Sequence, residues 1–534
     1  MSNVLRRIIV DGQRGRALRL AHGWLPNGWA ETPRLAYNPI GRPRRGPFSS
    51  PADPFAPTRP INEAFVQRPQ LTALIIASAL FMEFLDSTII ATVLPTIAAD
   101  IGTDPIRLKL ALTSYLLSLA VFIPISGWVA DRFGAKLVFR IAIVVFIIGS
   151  VMCSAAGSLV EFVLARIVQG AGGAMMIPVG RLVLLRTTPK SELLSAMAWL
   201  TIPALMGPLL GPPVGGFIAT YFDWRWIFWI NVPVGIIGLV LVTIFISEVK
   251  GEETRPLDIK GFLLSAVGLS GLVFGFSVLG QNMLPLPVTA AMIVSGVVAT
   301  ALYLAHAKRA EAPILDLTLL RRPTFVVSAL GGSLFRIGVG AIPFLLPLAL
   351  QVGLGMTPFE AGGLIFFSAV GALLMKFTAQ PLVRRFGFRT TLIWNGFIAS
   401  AAMLSMAAFV FNPPAIIMAS VLVVGGFFRS LQFTCLNTIA YAEVDQDAMS
   451  RATSLYSVVQ QVSLAAGVAI AAATVEIQRA LRGGTELVAS DFVAAFVTVA
   501  LMSLLAVISY ARLAPDAGSE IANRAQPRKP VAST

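Results

Sequence analysis

Charge is scarce in this 534-residue chain: Asp, Glu, Lys and Arg make up 13% of it, about half the share of an ordinary soluble domain. Cysteine and histidine are scarcer still, with two of each. Cys153 and Cys435 stand far apart in apolar stretches, which excludes a disulfide framework and offers no metal-ligand spacing. His22 and His306 fall outside the predicted membrane core, so imidazole-held haem or metal has almost nothing to bind. No phosphate-cradling P-loop occurs, which argues against ATP as the energy source. The residues point to no catalytic group, metal or cofactor.

Apolar residues are abundant. They make up 56% of the chain, and the mean hydropathy is +0.79. No soluble domain covers that much apolar surface, so the solvent is a bilayer and the fold class is all-α, polytopic. A crossing needs about 20 apolar residues, and the sequence predicts fourteen: 70–95, 109–130, 136–156, 160–185, 193–221, 225–247, 259–280, 286–306, 323–352, 358–381, 388–411, 413–440, 453–476 and 490–512. Loops after even-numbered spans carry the lysines and arginines, among them Arg132, Lys136, Arg186, Lys190, Arg384, Arg385 and Arg389. Arg107, Lys109, Arg225, Arg479 and Arg482 are exceptions. This bias puts both termini in the cytoplasm.

Half of the net charge of +14 sits in residues 1–68, eleven arginines against Asp11, Glu31, Asp53 and Glu63. The segment is proline-rich, has no signal-peptide core, and reads as a disordered cytoplasmic tail touching anionic lipid heads. It lacks the aromatic support of a nucleic-acid arm. "DRFGAK" (131–136) after span two and "RRFGFR" (384–389) after span ten mark a duplicated six-helix bundle. The expected division is a tail at 1–68, a first bundle at 69–250, two inserted helices within 251–309, a second bundle at 310–514 and a tail at 515–534.

Four stretches carry a resemblance: "LDSTIIATVLPTI" (85–97), "GWVADRFGAKLVF" (127–139), "LARIVQGAGGAMMIP" (164–178), and "GPLLGPPVGG" (207–216) followed by "DWRWIFWINVPVG" (223–235). In this order they resemble the major facilitator superfamily, specifically its fourteen-helix drug:proton antiporter branch of the EmrB/QacA type, over residues 70–512. "FRIGVGAIPFLLPLALQVGLG" (335–355) and "QFTCLNTIAYAEV" (432–444) are most similar to its MdtD/HsrA-like group. The resemblance implies two six-helix bundles plus two central helices, a bacterial inner-membrane location, and proton-driven export of small molecules. The chain departs from the group at Glu83, where glutamine is usual, at Ala91, where asparagine is usual, and at "SRATS" (450–454).

Ionisable residues inside a bilayer are costly and therefore functional candidates. Glu83 and Asp86 share one face of span one, and with Arg166 and Arg336 they are expected near one central level, either as proton-coupling groups or as a permanent ion pair. Lys376 and Glu476 lie near span ends and are expected to snorkel. The glycines Gly127 and Gly134 predict a tight turn and close helix approach. The resemblance makes Asp131 a lock between bundles, and the plainer alternative is a topology anchor through Arg132 and Lys136. Gly207, Pro208, Gly211, Pro212, Gly215 and Gly216 predict a flexed helix that packs against the other bundle in one state. The competing transport reading is an anionic metabolite held by Arg336. A lipid-modifying enzyme or a non-transporting sensor on the same fold are the remaining classes. The expected partners are a small-molecule substrate, protons and lipids.

Overall fold

The computed structural model describes residues 69–188, 193–248, 256–278, 284–311, 313–444, 448–484 and 486–519, and the expectations for residues 1–68 lie outside them. Fourteen long helices follow one another among the described residues. The first six are α1 (Pro69–Asp100), α2 (Lys109–Phe133), α3 (Ala135–Ala155), α4 (Leu159–Thr187), α5 (Leu193–Tyr221) and α6 (Asn231–Phe245). A hairpin of α7 (Ile259–Val278) and α8 (Leu286–Ala307) separates them from α9 (Gly332–Leu348), α10 (Pro358–Phe386), α11 (Phe388–Ser405), α12 (Ala415–Ile439), α13 (Met449–Arg482) and α14 (Asp491–Tyr510). Every span expected from hydropathy is a helix. Thirteen segments are long and apolar enough to cross a bilayer by length and composition, and α5 completes the order.

The helices alternate in direction, so the loops at 134, 188 and 387 fall at one end of the molecule, the basic face, and those at 101–108, 222–225 and 354–357 at the opposite face. At the basic face α2 meets α3, and α10 meets α11, across one residue each time. Gly134 and Gly387 occupy those breaks with φ of 99° and 78°, a conformation a β-carbon would strain. The two halves of the duplication therefore turn by the same device. Gly134 is also packed tightly, since a β-carbon there would meet Glu248 at 2.3 Å. Gly127 differs from expectation. Nothing lies within 4 Å of an added β-carbon, so it mediates no close helix approach.

The α7–α8 hairpin is held by backbone proximity: a β-carbon on Gly271 would lie 2.6 Å from the Met292 carbonyl oxygen. Its α7 packs on both α2 and α13, with Phe122 and Phe262 ring centroids 6.3 Å apart. Asp258, just before α7, accepts from the Gly261 and Ile314 amides and lies 2.7 Å from His306 Nε2. Burial raises the Asp258 pKa, but those hydrogen bonds outweigh it and hold the carboxyl below its ordinary value.

The apolar packing is asymmetric along the helix axes. Toward the opposite face one cluster joins both halves, with Leu94, Ile97 and Phe162 in the same core as Phe344, Leu345 and Val468. Toward the basic face the clusters separate, one drawn from residues 73–246 and two from residues beyond 302. The bundles meet at the opposite face and part toward the basic face.

The glycine-proline stretch of α5 is continuous helix. Gly207, Gly211 and Gly215 recur every fourth residue and form one stripe. Added β-carbons would meet Leu85 N at 2.8 Å, Thr88 Oγ1 at 2.1 Å and the Ile89 carbonyl at 3.0 Å, all in α1 of the same bundle. The other bundle is met at Gly216 and Pro212: a β-carbon added to Gly216 would lie 2.4 Å from the Pro358 carbonyl, and one added to Gly362 of α10 would lie 2.3 Å from the Pro212 carbonyl. The expected contact between bundles is thus made by Pro212 and Gly216, and the stripe of Gly207, Gly211 and Gly215 binds α5 to α1. Gly211→Ala should lower stability by about 1–3 kcal/mol by overpacking α1, whereas Gly127→Ala should not lower it and should raise it by up to about 1 kcal/mol. Thermal unfolding of purified protein in detergent checks both, and equal midpoints would reject the stripe.

Candidate functional site

The first bundle is organised around a buried ion pair. Asp86 on α1 accepts from Arg166 Nη1 of α4 at 2.7 Å, and both side chains are almost completely shielded. Asp86 Oδ1 also accepts from Gln169 Nε2 at 2.9 Å and from Asn231 Nδ2 of α6 at 2.8 Å. Gln169 Oε1 accepts in turn from Arg166 at 2.5 Å, and Asn231 donates to Ser150 Oγ of α3 at 3.0 Å. The guanidinium carbon lies 4.2 Å from the centre of the Tyr115 ring of α2. All six helices except α5 contribute a group. A buried pair is tolerable only when its remaining valences are met, and Asp86 is met three times.

Glu83, one turn away on the same helix, is different. It is 4% exposed, its Oε2 has no hydrogen-bond partner, and no cation forms an ion pair with it among the described residues. Tyr115 Oη, also without a partner, adjoins it across Gly173, where a β-carbon would lie 3.0 Å from Tyr115 Oη and 3.5 Å from the Glu83 carboxyl carbon.

Arg336 does not join this group. It is fully buried in the second bundle, where Nη1 donates to the Ser328 and Ala329 carbonyls at 2.9 and 3.2 Å and Nη2 to Tyr456 Oη. Those carbonyls belong to a π-helical turn, Val327–Gly331, that precedes α9. The looser turn presents backbone oxygens to the guanidinium. The expected convergence of Glu83, Asp86, Arg166 and Arg336 therefore holds for Asp86 and Arg166 as a direct pair, with Glu83 beside them, and fails for Arg336. A depth along a helix does not say which way the side chain faces.

At the basic face Asp131 pairs with Arg186 of its own bundle at 2.8 Å, both about one-third exposed. It bridges no bundles in this state. Arg132 is exposed, and the Lys136 amide donates to Glu248 at 3.2 Å, tying the α2–α3 turn to the end of α6. The contacts between bundles lie at the opposite face. Gln351 Nε2 donates to the Thr92 carbonyl at 2.6 Å, and Phe359 stacks edge-on with Phe217 and Tyr221. Arg479 of α13 bridges Asp104 at 2.7 Å and Glu476 at 2.6 Å, beside the buried Lys109. Glu476 does not snorkel as expected; it is part of this latch. Gln169, Asn231, Tyr115, Tyr456 and the latch were not singled out from sequence. Gln169 alone had a local signal, three residues from Arg166 on one helix face.

Residues 76–468 match the family pattern described as Major Facilitator Superfamily. A Yersinia enterocolitica protein named multidrug resistance protein MdtD is 36% identical over 85% of this chain and 96% of its own length. Its Escherichia coli O157:H7 namesake (strain EC4115) is 39% identical over 74% of this chain and 84% of its own. Among solved structures, a transporter of the POT family in complex with 5-aminolevulinic acid superposes with a TM-score of 0.61 at 12% identity, covering 82% of this chain and 94% of that one. A D-xylose-proton symporter gives 0.59 at 17% identity, covering 84% and 98%. These structural likenesses concern the fold.

Asp86→Asn should leave Arg166 buried without a countercharge and cost about 3–5 kcal/mol. The double variant Asp86→Asn with Arg166→Gln should recover much of that loss. Unfolding midpoints of the two variants and the parent give the coupling, and additive losses would show that the pair is not structural.

Proposed function

The chain belongs to the Major Facilitator Superfamily, and on that premise we propose that it is a proton-coupled secondary transporter that exports small molecules, of the multidrug type, by alternating access. The relatives named for multidrug resistance and the motif order of α1, α2, α4 and α5 support this reading. The observation that carries it is Glu83, a carboxyl buried mid-helix with an oxygen that nothing satisfies. An ionised carboxylate left there would be costly, so in this state the group is best occupied by a proton. Asp86, three times satisfied, is committed to Arg166.

The lysine and arginine bias makes the basic face cytoplasmic, and the state described is then open to the cytoplasm and closed toward the periplasm. In the cycle, substrate enters between the parted bundles while Glu83 releases its proton to the cytoplasm. The bundles then close at the basic face and open at the other. That movement must undo Gly216 on Pro358, Gln351 on Thr92 and the Asp104–Arg479 bridge. Glu83, now reachable from the periplasm, takes a proton, and the protonated form returns with α1. The α5 stripe moves α1 with the part of α5 that opens and closes. Anion binding by Arg336 is not supported, because its guanidinium is shielded and committed to carbonyls and Tyr456.

Full-length protein in proteoliposomes, given an imposed pH gradient and a panel of cationic, neutral and anionic compounds, tests the reading. Gradient-driven flux is expected for the parent. Glu83→Gln should reduce the driven component at least tenfold while equilibrium binding in detergent persists. Undiminished driven flux in Glu83→Gln would move the proton to another group, and absence of any gradient-driven flux in the parent would reject transport of this kind.

A further inference from the structure

The second bundle holds two cations without a carboxylate beside them. Arg429 lies on α12, about 21 Å along the helix from its start at Ala415, hence near mid-membrane. Its Nη2 donates to Ser368 Oγ of α10 at 2.5 Å, and its Nη1 is buried with no hydrogen-bond partner. Lys376 lies on α10, and its Nζ donates to Thr434 Oγ1 of α12 at 3.3 Å. Neither forms an ion pair among the described residues. The two helices run parallel and nearly in contact, with an added β-carbon on Gly426 only 2.0 Å from the Ser368 carbonyl. Their register sets Ser368 beside Gly426 and Lys376 beside Thr434, so the α-carbons of the two residues are separated by about 8 Å along the axes. The head groups lie further apart than that: Arg429 reaches back to the level of Ser368 and Lys376 reaches Thr434, about 12 Å along the axes.

Both face the space between the bundles. At the opposite face the stripe of α10 centred on Gly362 seats on α5. Lys376 follows Gly362 by fourteen residues and falls about 40° from that stripe, on the half of α10 from which the first bundle has withdrawn; it is exposed. Arg429 is partly exposed. Across the gap, α4 presents a third cation, the exposed Arg181.

Unpaired charge this deep needs a counterion. We propose that Arg429, with the Ser368 hydroxyl, forms an anion subsite on the wall of the transport cavity that takes a carboxylate of the substrate, and that the exposed Lys376 leaves Thr434 to reach it as the second cation. A guanidinium with a free N–H edge and a neighbouring hydroxyl suit the planar, two-oxygen geometry of that group. The site narrows the exported compounds to organic anions, and to that extent rests on the export reading. The binding itself requires neither a gradient nor flux.

The test uses purified full-length protein and two probes of one shape and opposite charge, 1-naphthoate and 1-naphthylmethylammonium, in equilibrium dialysis. The parent should bind naphthoate at least tenfold more tightly than the ammonium probe. Arg429→Gln and Lys376→Gln should each weaken naphthoate tenfold or more, and Arg429→Lys should retain most of the affinity. Lys376→Glu should reverse the preference between the probes. Lys376 is exposed, so its variants test the site even if Arg429→Gln does not fold. Unchanged naphthoate affinity in the glutamine variants, a parent that prefers the ammonium probe, or a parent that binds no naphthoate would overturn the subsite. A few mole per cent phosphatidylglycerol in the micelles should not displace naphthoate; displacement would assign the cations to a lipid headgroup and overturn it as well. Loss of gradient-driven flux with naphthoate binding intact would fault the export reading and leave the subsite standing.

Discussion

A charge inside a bilayer must be matched there, and the rest of this structure is arranged around that requirement. The first bundle meets it with an acid. Asp86 and Arg166 pair, Gln169 and Asn231 fill the other valences of Asp86, and Ser150 and the Tyr115 ring extend the group, so α1, α2, α3, α4 and α6 are pinned to a common point. The second bundle has no acid at the corresponding depth. Arg336 is matched by backbone carbonyls that a π-helical turn has exposed, and by Tyr456. One core is electrically closed and the other retains positive charge, to which Arg429 and Lys376 add.

The glycines of α5 link that electrostatic centre to the seam between bundles. With Gly207, Gly211 and Gly215 in backbone contact with α1, the helix carrying Glu83 and Asp86 is nearly locked to the helix whose far end touches α10. A bundle that rocks at Gly216 and Pro358 therefore carries the acid pair with it. A leucine or alanine stripe would hold α1 further off and let it lag. Close packing here serves transmission as much as stability.

Much of this was legible in the sequence, and the limit falls at one physical boundary. Span positions follow from hydropathy, which is a one-dimensional property, and the turns at Gly134 and Gly387 follow from a repeat that any alignment of the halves exposes. Membership of one face is also readable within a helix, as for Glu83 and Asp86. Which neighbour that face meets is not, because the rotation of each helix is set by the several helices packed around it. Arg336 meets carbonyls and Tyr456 in place of the expected carboxylates for this reason. The π-helical turn before it also shifts the face of α9, and no residue type announces that turn. Glu476 was read as a helix-end residue on position alone, while its partner Asp104 lies hundreds of residues away. Arg429 stands in an apolar stretch, "GGFFRSLQF", whose local pattern says only that the residue is buried.

The separation of the two proposed sites onto different bundles bears on how they could be coupled. A carboxylate ligand close to Glu83 would favour the protonated form of that residue, because two negative charges repel in a medium of low dielectric. Direct contact would thus tie proton and anion to movement in the same direction, the opposite of exchange. Exchange requires that carriage of one ligand disfavour carriage of the other, and keeping the sites apart removes the direct charge effect that would do the reverse. A proton site within the closed network of α1 and an anion site on the wall of α10 and α12 are so separated. The Asp86–Arg166 pair adds no net charge between them, and the seam of α5 and α10 remains as the path by which occupancy of one side reaches the other.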